Sequence, residues 1–268
     1  MNFFTTSDGV RLCYFIDDFT DPWKPAQTAI LLHAGMGSSA RWYSMVPAIA
    51  RHYRTVRLDL RGHGSSQVPP VDLELSLARL TQDVRELMDH LGIANAHFIC
   101  NATGGYLGQH LAATSPERVK SLALFSSTPG QKFSGSSAWI EKIERDGLRA
   151  FLDAVVGDRL PLDLVDAGYA RWYVEETAKN DTPYILRLLR LLATLDLSAS
   201  LSDIRCPTLV VVPGARNTPG GPYSVMAAKI PDVSMIYHEG DPQSLCDAFP
   251  DRSASEALAF LASLSKKT

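Results

Sequence analysis

Two hydrophobic rhythms divide this chain. Phe3–Thr6 and Val10–Ile16 are short strand-like runs on either side of Asp8-Gly9, a dipeptide that accepts the positive φ of a tight turn, so the opening reads as a hairpin. Continuous apolar runs follow at Thr28–His33, Arg54–Leu60, His97–Asn101 and Val119–Ser126. Between them lie stretches of helical period: Ala40–His52, Leu75–Leu91, and a third that opens through Gly104-Gly105 and ends near Thr114. Strands buried on both faces need unbroken apolar runs, and strand–helix alternation builds a parallel sheet with helices on both sides.

The rhythm changes between Pro129 and Ser200. Helical patterns succeed one another there with no strand between them: Ala138–Asp146, Leu148–Val156, Leu164–Lys179 and Tyr184–Leu195. Sheet rhythm resumes with the strand Thr208–Val212, a helix at Tyr223–Lys229, the strand Val233–Tyr237 and a closing helix Ala254–Leu264. The expected organisation is an α/β core of residues 1–128 and 201–268, with 129–200 inserted as a helical cap.

Composition narrows the function classes. Of 268 residues, 46% are hydrophobic and 21% charged, with a formal net charge of −3. Disordered chains carry less apolar and more unbalanced charge, and a nucleic-acid partner would require a basic stripe. No apolar run approaches the roughly 20 residues of a membrane span, and MNFFTTSDG lacks a secretory leader's basic and apolar regions. Cys13, Cys100, Cys206 and Cys246 show no metal-binding or disulfide spacing. The expectation is a soluble cytoplasmic protein that binds a small molecule and needs no cofactor or metal.

Several landmarks then fall in a telling order. His33-Ala34-Gly35 is followed by Trp42, the loop Asp59-Leu60-Arg61-Gly62-His63-Gly64-Ser65-Ser66 reads DxRGxGxS, and Cys206-Pro207 opens an apolar strand. Glu239-Gly240 and Pro250 follow. In this arrangement the chain resembles the α/β-hydrolase fold, most closely its 3-oxoadipate enol-lactonase-like branch, over nearly its whole length. The resemblance implies a serine nucleophile on a strand-to-helix elbow, served by an aspartate and a histidine.

The matching positions hold other residues. The elbow reads Cys100-Asn101-Ala102-Thr103-Gly104-Gly105, which puts Ala102 where the nucleophile belongs. Spacing from Val210 places Asn217 at the acid, and counting back seven residues from Pro250 places Gln243 at the histidine. A methyl group cannot attack a carbonyl, and amides do not titrate near neutrality. No catalytic residue is therefore assigned.

What the resemblance leaves is a binding apparatus. The backbone amides of Gly35 and Thr103 match the family's oxyanion hole, and Asn101, Ala102, Asn217, Gln243 and Arg41 are candidate pocket residues. Arg216 lies on a nearby loop. His33 and His63 read as structural, and His238 falls five residues before the expected base. Cys100 points into the core as a strand residue, while Ser126 and Ser127 sit where some relatives place an alternative acid. Asp241 is the one carboxylate nominated near the lost histidine. Trp139, Phe151, Tyr169, Trp172, Tyr173 and Tyr184 are cap aromatics, some of which could line a pocket. Three functions stay open: non-hydrolytic chemistry supported by the oxyanion hole, a non-catalytic ligand binder, and an ester or enol-lactone hydrolase whose triad lies elsewhere.

Overall fold

The computed structural model describes residues 1–132, 137–214 and 219–264. Eight strands form one sheet in the order β1-β2-β4-β3-β5-β6-β7-β8. These are β1 Asn2–Thr5, β2 Arg11–Asp17, β3 Thr28–Leu32, β4 Arg54–Leu58, β5 Ala96–Asn101, β6 Val119–Phe125, β7 Thr208–Pro213 and β8 Val233–His238. The hairpin β1–β2 is antiparallel and joins β4 antiparallel; every other neighbour is parallel. Gly9, at φ +83°, makes the hairpin turn that Asp8-Gly9 predicts.

Every residue of β5 and β7 is buried, as helices on both faces demand. Successive side chains alternate between two cores. Ile30, Leu32, Phe98, Leu122 and Val210 pack with α2 (Leu77–His90) and α3 (Thr103–Thr114). Ala29, Leu31, Ile99, Ala123 and Val211 pack with α1 (Val46–Ala50) and α10 (Pro250–Leu264). α2 begins where Ser76 Oγ accepts from the Arg79 amide at 3.1 Å, satisfying one of the free amides of its first turn.

Four helices stand between β6 and β7: α4 Ser137–Asp146, α5 Leu148–Arg159, α6 Ala167–Ala178 and α7 Thr182–Ala193. They enclose a core of their own around Phe151, Leu152, Tyr173 and Leu189. α7 serves two cores: Ile185 and Leu189 face the inserted helices, while Leu188 and Leu192 join the sheet core. That explains why its sequence is apolar on more than one side. α8 (Pro222–Lys229) and a short α9 (Leu245–Ala248) complete the element list.

Two expectations need correction. The helix expected over 40–52 is broken into a 3-10 turn at Ser39–Trp42 and α1, because Pro47 at the start of α1 lacks an N–H and its ring excludes a preceding α-helical carbonyl. The third long helix of the insertion starts at Ala167 rather than Leu164, because Asp166 caps it by accepting from Gly168 and Tyr169.

The loop after β4 is pinned by a buried cation. Arg61 has no exposed surface, donates to both Asp83 oxygens at 2.6 Å and to Asp8 at 2.9 and 3.2 Å. Hairpin turn, loop and α2 are thereby tied together. Removing Asp83 leaves Arg61 with Asp8 as its remaining counter-charge, so Asp83→Ala should cost about 1.5–3 kcal/mol. Urea unfolding checks this; a loss below 1 kcal/mol would mean that the network is dispensable.

Candidate functional site

The site is built where β5 turns into α3. Ala102 sits between them at φ 46° and ψ −110°, a conformation that strains any residue with a Cβ. Three bonds hold it: its amide donates to Phe125 O at 2.9 Å, and its carbonyl accepts from the Gly105 amide at 2.9 Å and from Ser127 Oγ at 2.7 Å. Gly104 and Gly105 let the turn approach its neighbours. A Cβ on the first would overlap the Leu32 carbonyl, and one on the second would overlap the Ser127 hydroxyl. The turn is thus over-determined by packing, with a methyl group at its apex.

Above that apex lies a cavity of about 50 Å³. Gly35, Arg41, Asn101, Ala102, Thr103 and Gln243 all line it, so six positions singled out from sequence converge. Asn217 and Arg216 lie outside the described residues. The inserted helices contribute Trp139, Leu152, Arg159, Tyr173, Thr177, Leu189 and Leu192. Among the described lining residues there is no Asp, Glu, His or Cys. The amides of Gly35 and Thr103 donate to no group among the described residues, Thr103 because a first-turn amide has no helical acceptor.

The histidines beneath the site are structural. His33 accepts from the Leu60 amide at 3.0 Å through Nε2 and meets Ala34 O at 2.8 Å through Nδ1, which makes it a neutral ring donating from Nδ1. Burial holds its pKa well below the ordinary value, and His63 beside it acts in the same direction. His63 packs between the Arg61 and Gly35 carbonyls at 3.0 and 2.7 Å, tying the loop after β4 to the loop after β3. His238 turns away to Glu256 at 2.7 Å. Cys100 is buried against α3 at Gly108, and burial raises its thiol pKa far above the reactive range.

Arg41, a candidate pocket residue, is a buried and partnered charge. It is 7% exposed; Nε donates to Asp247 Oδ1 at 2.5 Å, one terminal nitrogen donates to Thr177 Oγ1 at 3.2 Å, and the guanidinium lies 3.7 Å from the Tyr173 ring centroid. Burial disfavours the charge, and Asp247 with Tyr173 more than offsets it. The carboxylate that meets a cavity-lining side chain is Asp247, through Arg41, whereas Asp241 pairs with Arg252; neither lines the cavity itself. Sequence reasoning could not find this pair, because its members are 206 positions apart. Of the aromatics named in advance, Trp139 and Tyr173 reach the cavity. Tyr169 and Trp172 instead cluster with Tyr43 at the seam, while Phe151 and Tyr184 are buried in packing.

Comparison with known proteins agrees with the fold. The family model described as alpha/beta hydrolase fold matches residues 29–153. The Agrobacterium fabrum protein named "Putative carbamate hydrolase RutD" is 31% identical over 197 residues, which span 68% of this chain and 72% of that protein. The chain belongs to the α/β-hydrolase family. Another relative of this α/β hydrolase, "Putative 2-succinyl-6-hydroxy-2,4-cyclohexadiene-1-carboxylate synthase" of Bacillus subtilis, is 33% identical over 156 residues, 58% of this chain and 54% of that one. Among solved structures, the enol-lactonase from Burkholderia xenovorans superposes with a TM-score of 0.86 over 97% of this chain and 100% of that one. At 23% identity that likeness concerns the fold alone. A hydrolase from Pseudomonas aeruginosa shares 29% identity at a TM-score of 0.83, over 97% of each chain. No described helix of this α/β hydrolase is long and apolar enough to cross a membrane.

Two outcomes follow from the site's physics. Ala102→Gly relieves a strain of about 1–3 kcal/mol and loses about 0.5–1 kcal/mol to backbone entropy, so it should be neutral to stabilising in urea unfolding. A loss above 1 kcal/mol would show that the apex is unstrained. The second concerns pH. Burial lowers the pKa of His33, His63 and His110, and holds His97 at about 4. The unfolded chain takes these protons first, near pH 6.5, so stability is complete above about 6.5 and falls as the pH drops towards 4. A urea midpoint that stays flat from pH 7 to 5 would contradict the buried neutral rings.

Proposed function

We propose that this α/β hydrolase is not a serine hydrolase, and that Ala102, Asn217 and Gln243 stand at the places of nucleophile, acid and base. It binds a small organic acid, lactone or aromatic metabolite between a core of residues 1–128 and 201–268 and a cap of 129–200, and acts in the cytoplasm. The Gly35 and Thr103 amides take a carbonyl, carboxylate or enolate oxygen of that ligand, with Asn101 and Gln243 as neutral polar neighbours. Backbone donors lose nothing when the apex side chain is a methyl, and such a hole stabilises an enolate as well as a tetrahedral adduct. Chemistry without a nucleophile — isomerisation, elimination, cyclisation or decarboxylation — is open to it.

The observation that carries this reading is the composition of the cavity wall: a methyl at the apex, and no histidine, carboxylate or cysteine among the described lining residues. That one relative is named for a synthase fits the same direction. The cavity's size bears on the ligand. At about 50 Å³ it is roughly a third of the about 150 Å³ void that admits benzene, so a ligand of benzene's size or larger, a five-carbon oxo-acid included, enters only as the cap shifts. A second reading, a binder that transforms nothing, is favoured by the lack of any described lining group that exchanges protons near neutrality.

The test pairs the natural protein with the triple variant Ala102→Ser, Asn217→Asp, Gln243→His on short esters and enol-lactones, together with a serine-directed phosphonate. Only the variant should hydrolyse and take one equivalent of phosphonate, while Ala102→Ser alone stays at least a hundredfold slower for want of a base. Hydrolysis by the natural protein at the variant's rate would refute the proposal and point to a triad elsewhere.

A further inference from the structure

The cavity wall is charged asymmetrically. Two arginines line it, Arg41 and Arg159, and no described carboxylate does. Arg41 is already matched by Asp247 and Thr177. Arg159, at the end of α5, forms no ion pair among the described residues; its Nε is buried without a hydrogen-bond partner, and its guanidinium lies 5.1 Å from the Trp139 ring centroid. A half-buried cation without a counter-charge gains from an anion that completes it. Trp139 also lines the cavity, so the ring holds the guanidinium beside the space it would serve. The Ser244 amide donates to Arg159 O at 3.3 Å, which fixes the end of α5 against the segment that carries Gln243.

We propose that Arg159 is the anchor for a ligand carboxylate, so that the ligand is an anionic oxo- or enol-acid rather than a neutral lactone or ester. The inference rests on the proposed reading of the cavity and adds a second pole to it. The cap supplies a cation for the carboxylate, and the core supplies the Gly35 and Thr103 amides for a carbonyl or enolate oxygen of the same molecule. Arg41, already neutralised by Asp247, contributes shape and the aromatic contact with Tyr173 instead of net charge. A carboxylate supplies the counter-charge that Arg159 lacks among the described residues and leaves the wall neutral. A neutral isostere leaves that cation without a counter-charge.

Levulinate, a 4-oxo acid, and levulinamide, its neutral isostere, are the probes. Both are titrated into the full-length protein at pH 7, with affinity read from the Gly35 and Thr103 amide resonances and from calorimetry. Levulinate should bind at least about tenfold more tightly than levulinamide, as a charge-assisted hydrogen bond to a half-buried guanidinium gives. Arg159→Gln should abolish that preference while leaving levulinamide affinity within about twofold, and Arg159→Lys should restore part of it. Unchanged amide spectra away from the site confirm that each variant is folded. Equal affinity for the two probes, an undiminished preference in Arg159→Gln, or no binding of either probe overturns the anchor. None of these results bears on the absent nucleophile, which the revertant assay tests separately.

Discussion

Close approach at the β5–α3 turn is the constraint from which the rest of the site follows. Gly104 lies against the Leu32 carbonyl and Gly105 against the Ser127 hydroxyl, so α3 is pressed onto β3 and β6 at once. Gly104 cannot be enlarged without moving β3, nor Gly105 without moving Ser127 in the loop after β6. Such packing leaves Ala102 no choice but a positive φ. Strain of this kind persists only where the surroundings over-determine it. The same contacts bring the start of α3 up against the loop after β3, which is how the Gly35 and Thr103 amides come to line one cavity although 68 positions separate them.

Two buried arginines hold the loops around that turn, and each recruits carboxylates from distant segments. Arg61 joins the hairpin turn through Asp8 to α2 through Asp83. The same loop presents Asp59, which accepts from the Ser39 amide at 2.7 Å and the Ser65 amide at 2.9 Å, and His63, which reaches the Gly35 carbonyl. Arg41 then joins the loop after β3 to α9 through Asp247 and to α6 through Thr177. Fully enclosed charges of this type act as registry devices more than as sources of stability, since desolvation offsets much of their attraction. Here they fix where three loops and the insertion meet.

Sheet and helices were legible because burial on both faces leaves an unmistakable mark: runs such as Thr28–Leu32 and Thr208–Pro213 carry no polar residue that needs water. The convergence of Ala102, Gln243, Gly35, Thr103, Asn101 and Arg41 was legible for another reason, since each lies at the C-terminal end of a strand or in the loop that follows one, where parallel sheets gather their sites. What sequence could not convey is pairing across the insertion. Asp247 and Asp241 look alike in the chain; only packing decides that one meets Arg41 and the other Arg252. Arg159 was missed because a cation near a helix end is ordinarily explained by the helix dipole and solvent. Pro47 is the mark in the chain of the break within 40–52, although helical periodicity continues on both sides of it.

An elbow kept under strain with a methyl at its apex bears on what the elbow is for. On the proposed reading the apex projects no nucleophile, and a glycine at 102 would adopt this backbone at no steric cost. Yet the glycines behind the turn, the bond from Ser127 and the amide–carbonyl contacts of Ala102 with Phe125 and Gly105 are all in place. Those features determine the direction of the Thr103 amide and the closeness of the loop carrying Gly35, neither of which depends on the side chain of residue 102. On the proposed reading, an oxygen held by two backbone donors is the function the geometry still serves. Hydrolysis needs a proton carrier as well, and the described cavity wall offers none.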